Sequence, residues 1–172
     1  MFFNYIKELL TKKIVKNGLS NVKLSSSDIS IKTVGIIFDE SYFYEKEDLV
    51  KELVKNGILE ENIKVLVFKD KVKKKEVFDY PVFSYTDLTW NGRIEKKEVN
   101  DFVAETFDLL INYYDTEKSA LLLVSHLSRA SFKVGFSVVD KRLNHFMINT
   151  NADNYKVFID ELFKYLRILN KI

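Results

Sequence analysis

Phe107-Asp-Leu-Leu-Ile-Asn-Tyr-Tyr-Asp115, with Thr116-Glu-Lys-Ser-Ala-Leu-Leu-Leu-Val-Ser-His-Leu-Ser-Arg129 and Phe132-Lys-Val-Gly-Phe-Ser137 directly after it, decides the fold. An apolar run, a helical pattern and a second apolar run make a βαβ unit. Strands covered by helices on both faces have no polar side, so they lose the alternation of a half-exposed strand. Val34-Gly-Ile-Ile-Phe38 and Ile63-Lys-Val-Leu-Val-Phe68 have the same character. The stretch therefore belongs to an α/β layered domain.

Outward from that unit the same alternation continues. A helix is expected from about Lys46 to Asn56, burying Leu49, Val50, Leu53 and Val54 and stopping at Gly57. Lys69 to Glu76 reads as a charged, exposed loop. Pro81 to Tyr85 reads as a short edge strand, because the one proline, which has no N–H to give a ladder, sits at its start. Asn91-Gly92 marks a tight turn with positive φ. A helix follows from about Glu95 to Thr106. Phe146 to Asn149 forms a last strand, and Ala152 to Leu169 a terminal helix with Tyr155, Phe158, Ile159, Leu162, Leu166 and Leu169 inward.

These elements sum to a three-layer Rossmann-like sandwich with a mostly parallel sheet of about six strands, plus an N-terminal amphipathic helix. The strands at 34–38 and 109–113 are expected side by side at its centre. Gly35 then marks a place where a side chain would crowd a packed helix, or else a bulge. Residues 1–30 divide off as a basic helical arm and linker, and residues 31–172 as one domain. In the arm, Phe2, Phe3, Ile6, Leu9, Leu10 and Ile14 share one helical face, and Asn17-Gly18 is expected to stop the helix in a left-handed conformation. Ser20 to Ser30 is polar and reads as the linker.

Composition narrows the chemistry. The 172 residues are 47% hydrophobic and 30% charged, with 14 Phe, 9 Tyr and one Trp, which suits a folded globular chain. With no cysteine, disulfides, thiolate catalysis and cysteine-bound zinc are excluded. The absence fits the cytoplasm. The N-terminus lacks the pattern of a secretory signal, and no apolar run reaches the ~20 residues that span a bilayer. Net charge is +2, yet residues 1–24 hold Lys7, Lys12, Lys13, Lys16 and Lys23 against Glu8, so the arm carries +4 and the rest −2. A mildly acidic body gives no reason to expect nucleic acid.

Doubly wound sheets bind ligands at the carboxyl ends of their strands. Here the first strand ends in Asp39-Glu-Ser-Tyr-Phe-Tyr44, with no glycine to admit a pyrophosphate, and no Gly-x-x-x-x-Gly-Lys-Ser/Thr occurs. No nucleotide cofactor is expected. Asp39 and Asp115, with Thr116, stand just past the two central strands. Paired there, the carboxylates could hold a hard cation or activate water; capping of the following helices is the favoured reading. With no third ligand evident, no metal is expected. His126 belongs on a helix flank and His145 ahead of a strand, and neither has a nucleophile beside it. Trp90, next to Asn91-Gly92, either anchors a partner or folds under its loop to cover the core.

Two resemblances bear on this. Val34-Gly-Ile-Ile-Phe38, Asp87-Leu-Thr-Trp-Asn-Gly92, Phe107 to Tyr114, Phe132-Lys-Val-Gly-Phe136 and Tyr165-Leu-Arg-Ile-Leu-Asn-Lys171 resemble a small bacterial α/β family of unknown function. That likeness implies a Rossmann-like domain behind a basic helical arm and no assigned activity. Locally, Asp108 to Phe136 is similar to the βαβ segment in the N-terminal half of heptosyltransferase-type glycosyltransferases. Such enzymes place their site between two Rossmann domains, and this chain has length for one, so the likeness implies fold and not reaction.

The sequence reading is thus a non-catalytic, cytoplasmic adaptor that binds another protein through the arm (Phe2, Phe3, Ile6, Lys12, Lys13) and the Trp90 turn. Its alternative is a small-molecule enzyme using Asp39, Asp115 and Thr116 on a sugar or phosphorylated metabolite. Peripheral attachment to an anionic membrane through the first helix is a third expectation.

Overall fold

Six strands form one sheet in the order β3-β2-β1-β4-β5-β6, every neighbouring pair parallel. They are β1 (Val34–Asp39), β2 (Ile63–Phe68), β3 (Val82–Phe83), β4 (Leu109–Tyr113), β5 (Phe132–Phe136) and β6 (Phe146–Ile148). The computed structural model describes residues 2–19, 30–41, 43–73, 75–89 and 91–172, with residues 2–7 described by their backbone alone. Among them are five α-helices: α1 (Phe2–Gly18), α2 (Lys46–Lys55), α3 (Lys97–Ala104), α4 (Ser119–Leu127) and α5 (Tyr155–Ile168).

Every residue of β1, β4 and β5 is buried, as their unbroken apolar runs require. Val34 lies opposite Leu109 and Phe38 opposite Tyr113, so the two runs read as central are neighbours. Helices α2 and α5 pack together on one face of the sheet, and α3 and α4 on the other. Gly35 is needed for close approach: a Cβ there would stand 2.7 Å from the Phe107 ring and 3.1 Å from Phe102 of α3. At the Asn-Gly turn Gly92 has φ +71°, and Leu88 bridges Ile94 across it.

Helix α4 determines where α1 sits. Ser119-Ala-Leu-Leu-Leu-Val-Ser125 has no polar face, and all seven residues are buried. A helix apolar all round needs cover on every side. The sheet supplies one side, and α1 packs against another, burying Thr11, Val15 and the following Leu19.

Several expectations change. The buried face of α1 carries Thr11 and Val15, whereas Leu9, Leu10 and Ile14, from the stripe read as apolar, remain exposed. Gly18 is not left-handed: the Leu19 N–H still donates to the Val15 carbonyl at 2.9 Å. Arg142 closes the helix instead, donating from Nη1 to the carbonyls of Lys16 (3.0 Å) and Leu19 (3.4 Å). Thus a distant cation, invisible to local pattern, satisfies carbonyls a helix end leaves open. The inner stripe of α5 is as read at Phe158, Ile159, Leu162 and Leu166, with Phe163 added and Leu169 exposed. Val54 of α2 is exposed as well. Lys69 and Glu76 are only half-exposed and bond at 2.5 Å, which folds the charged loop back on itself. The linker at 20–29 lies outside the described residues.

Candidate functional site

The strand order places a topological switch between β1 and β4, since the chain winds outward from β1 to β3 and resumes on its other side at β4. In such sheets the crevice above the switch receives the ligand. Here the chain fills it. Beyond β1, the Phe43 ring stacks on Phe38 at 5.7 Å and packs on Tyr113 at 4.7 Å. Tyr155, at the start of α5, meets Phe43 at 6.3 Å. The Tyr113 hydroxyl donates to the Ala152 carbonyl at 2.6 Å, tying the β6–α5 connection across the opening. Phe136 and Phe158 complete the cluster against Tyr113. Burial pushes the Tyr113 phenol above its ordinary value, with the Asp115 carboxylate adding to the shift, so it stays neutral around neutral pH.

The carboxylates read as a pair have separate structural partners. Asp39 Oδ1 accepts from the Ser41 N–H at 3.0 Å, and its Oδ2 lies 2.8 Å from Lys118 Nζ. Asp115 Oδ2 accepts from the Ala152 N–H at 3.1 Å, and Thr116, exposed, donates weakly to Asp115 Oδ1 at 3.5 Å. Neither aspartate caps a helix: Glu45 precedes α2 and Lys118 precedes α4, and neither of these makes a side-chain cap. The favoured capping reading is therefore corrected. Both aspartates belong to tertiary ties, since the helices begin several residues later than the strand ends suggest. Among the described residues no group of three His, Asp or Glu side chains could hold a metal ion.

Lys118 is the residue that the sequence reading missed. Only 7% exposed, it also reaches Asp70 past β2 at 2.9 Å and the Ser41 hydroxyl at 2.9 Å, and lies 5.0 Å above the Phe68 ring. It thereby pins the loops after β1 and β2 to the start of α4. Nothing local signals this role, because its carboxylates are 79 and 48 residues away.

A second buried polar set runs beneath α4. The hydroxyls of Tyr114 and Ser125 bond at 2.7 Å, and Ser125 donates to Asn112 Oδ1 at 2.7 Å. Asn112 Nδ2 donates to Asn144 Oδ1 at 2.8 Å. Beside them Lys133 Nζ donates to the Ser125 carbonyl at 2.7 Å, and burial lowers its pKa to about 8. His145 accepts the Lys133 N–H on Nδ1 at 2.8 Å and stacks on Phe132. His126 lies exposed on α4, its pKa lowered by burial of the ring and by Lys133.

On α1, Lys12 and Lys16 approach Glu117 at 3.7 and 3.1 Å, so both turn toward the domain. Lys13 is exposed, beside Leu9 (51% exposed) and Leu10 (42%). The side chains of Phe2, Phe3 and Ile6 and the whole of Trp90 lie outside the described residues. Glu8 acts on Tyr85: burial, then the Glu8 and Asp70 carboxylates, push that phenol upward. The described helices include none long and apolar enough to cross a membrane.

Fold and rim together define a single-sheet, all-parallel α/β domain whose switch-point crevice is closed by its own aromatic side chains. The chain belongs to a family of unknown function, DUF6913, whose model matches residues 7–169 and so takes in most of α1 with the sheet. No curated protein and no solved structure matches it significantly. The local likeness to glycosyltransferases finds no support in these comparisons.

Proposed function

We propose that the chain is a non-catalytic binding module, working in the cytoplasm, that holds another protein against the outward face of α1. The observation that carries this reading is the exposure of Leu9 and Leu10 on a helix whose opposite face is docked on α4. Two adjacent leucines left in water on one surface, with Lys13 between their turns, suit a contact surface with an apolar centre and a charged edge. The want of cysteine agrees with a reducing compartment. The alternative, small-molecule chemistry at Asp39, Asp115 and Thr116, draws less support, because Phe43 and Tyr113 fill the space above the switch and each aspartate already serves a structural bond.

Removing the arm would uncover α4, so truncation confounds binding with folding. Point changes avoid this. Polar replacement at an exposed position alters stability by about 0.5 kcal/mol or less, so a Leu9→Ser/Leu10→Ser variant should melt within about 4 °C of the parent. A photo-crosslinking residue placed at Lys13 should trap a protein from cells that the same residue at exposed Val157 on α5 does not, and the double variant should lose it. Equal capture at both positions, or capture unaffected by the double variant, overturns the proposal. Flotation with anionic vesicles in place of a protein adduct would reassign the face to a membrane surface.

A further inference from the structure

Strand β2 is longer than the strand that covers its outer edge. Only Val67 and Phe68 have partners in β3, opposite Val82 and Phe83. The N–H groups of Val67 and Lys69 donate to the carbonyls of Pro81 and Phe83, so the odd-numbered residues of β2 turn their backbone groups toward β3. Phe68, by contrast, gives its carbonyl to the Glu40 N–H beyond β1. Alternation then places the backbone groups of Ile63 and Val65 on the outer side of β2. There Pro81 and Tyr80 lead the chain away; the Ile63 N–H is taken by the Glu60 carbonyl, and no described residue bonds the other three groups.

The vacated row is a groove. A cavity of about 330 Å³ lies over it, lined by Val65, Leu66, Tyr80, Pro81 and Phe102 among others. Its polar lining is Glu98, Asp101 and Glu105 against Lys64, an excess of two negative charges. Lys64 is itself bound to Glu105 at 2.5 Å, and Lys97, outside the lining, to Asp101 at 2.5 Å. Glu98 has no recorded ion pair among the described residues. Ile63 to Leu66 span about 13 Å at the usual strand rise, the length of a four-residue strand.

We propose that this edge takes an extended, basic peptide segment of a partner protein, added to the sheet as a strand in the row that β3 leaves empty. Three features select that occupant. One free N–H, of Val65, and the free carbonyls of Ile63 and Val65 in strand register recognise an extended chain. The groove over Leu66, Pro81 and Phe102 receives apolar side chains on alternate positions. Carboxylates on α3 favour lysine or arginine along the rim. The surface is separate from the outer face of α1, so it stands or fails on its own.

The probe is an acetylated, amidated hexapeptide alternating lysine and valine, titrated to about 1 mM into the full-length ¹⁵N-labelled chain. Expected are amide shifts confined to residues 63–66 and 98–105, with slowed hydrogen exchange at Val65. An alternating glutamate–valine peptide, and the lysine–valine peptide N-methylated throughout, should leave the spectrum unchanged. A Glu98→Lys/Asp101→Lys variant, altered only on the exposed side of α3, should fold normally and bind at least tenfold more weakly. No shift at 63–66, equal binding of the methylated or acidic peptide, or undiminished binding by the variant overturns the proposal.

Discussion

Replacing Lys133 with methionine should stabilise the protein near neutral pH and remove a titration from its stability profile. Lys133 lies in β5 beneath α4, 7% exposed, with its ammonium bonded to the Ser125 carbonyl and no carboxylate beside it among the described residues. Burial lowers its pKa from 10.5 to about 8. Below the folded value both states hold the proton, and the native state bears the full cost of a buried charge. Between the two values the unfolded chain holds a proton that the native protein has released, so stability rises with pH; above both the cost is gone. At about 1.36 kcal/mol per unit, the full difference is about 3 kcal/mol, of which about 2.5 falls between pH ~7 and pH ~10. Losing the bond to Ser125 offsets about 1 kcal/mol of the gain. Urea unfolding of both proteins across that range supplies the measurement, and subtracting one profile from the other cancels the tyrosines and other lysines. The parent should gain about 2.5 kcal/mol on the Lys133→Met variant as pH rises. A difference that stays flat refutes the reasoning, because it means the buried ammonium is not penalised.

Gly35→Ala should cost about 1–3 kcal/mol in urea unfolding, since the new methyl meets Phe107 at 2.7 Å and cores resist overpacking. Arg142→Met withdraws the donor from the Lys16 and Leu19 carbonyls; a charged hydrogen bond of about 1.5 kcal/mol predicts roughly tenfold faster amide exchange across residues 12–18, with the β-sheet amides unchanged. Asn112→Leu leaves the Ser125 hydroxyl without its acceptor and Asn144 Oδ1 without its donor, and should lower stability by about 1–3 kcal/mol in thermal unfolding. Lys118→Met strands Asp39 among buried groups, so its destabilisation should exceed that of the Lys118→Met/Asp39→Leu double variant, as urea unfolding of the parent and both variants will read.

The sheet was legible because burial on both faces writes itself locally: runs such as Val34–Phe38 and Leu109–Tyr113 admit few other uses. Gly35 was legible for the same reason, as a missing side chain in a crowded row. What escaped was set by distant partners. The apolar stripe of α1 leaves open whether the helix packs on the domain or faces outward, and α4 takes Thr11 and Val15 while Leu9 and Leu10 stay outside. Docking depends on matching Lys12 and Lys16 to Glu117 and the helix end to Arg142, contacts whose members lie roughly a hundred residues apart. Asp39 and Asp115 were visible as rim residues, but their bonds to Lys118 and Ala152 are long-range, and local preference for helix caps pointed the wrong way. Lys118 and Lys133 are buried lysines in segments that otherwise read as helix start and strand. Nothing in composition separates them from the solvated lysines of the surface.

The strand order also bears on where function can reside. A sheet wound outward from β1 on one side and from β4 on the other opens a crevice wherever the two first connections part. Filling it with Phe43, Tyr113 and Tyr155 converts the place such folds reserve for ligands into core, and ties the loops after β1 and β6 together. A ligand entering there would have to displace an aromatic ring whose full burial contributes about 1.5–3 kcal/mol, and would meet Asp39 already neutralised by Lys118. Among the described residues, apolar side chains of α1 are turned to water and backbone groups of β2 have no strand beside them. The two proposed contacts with another chain rest on these places and not on the rim.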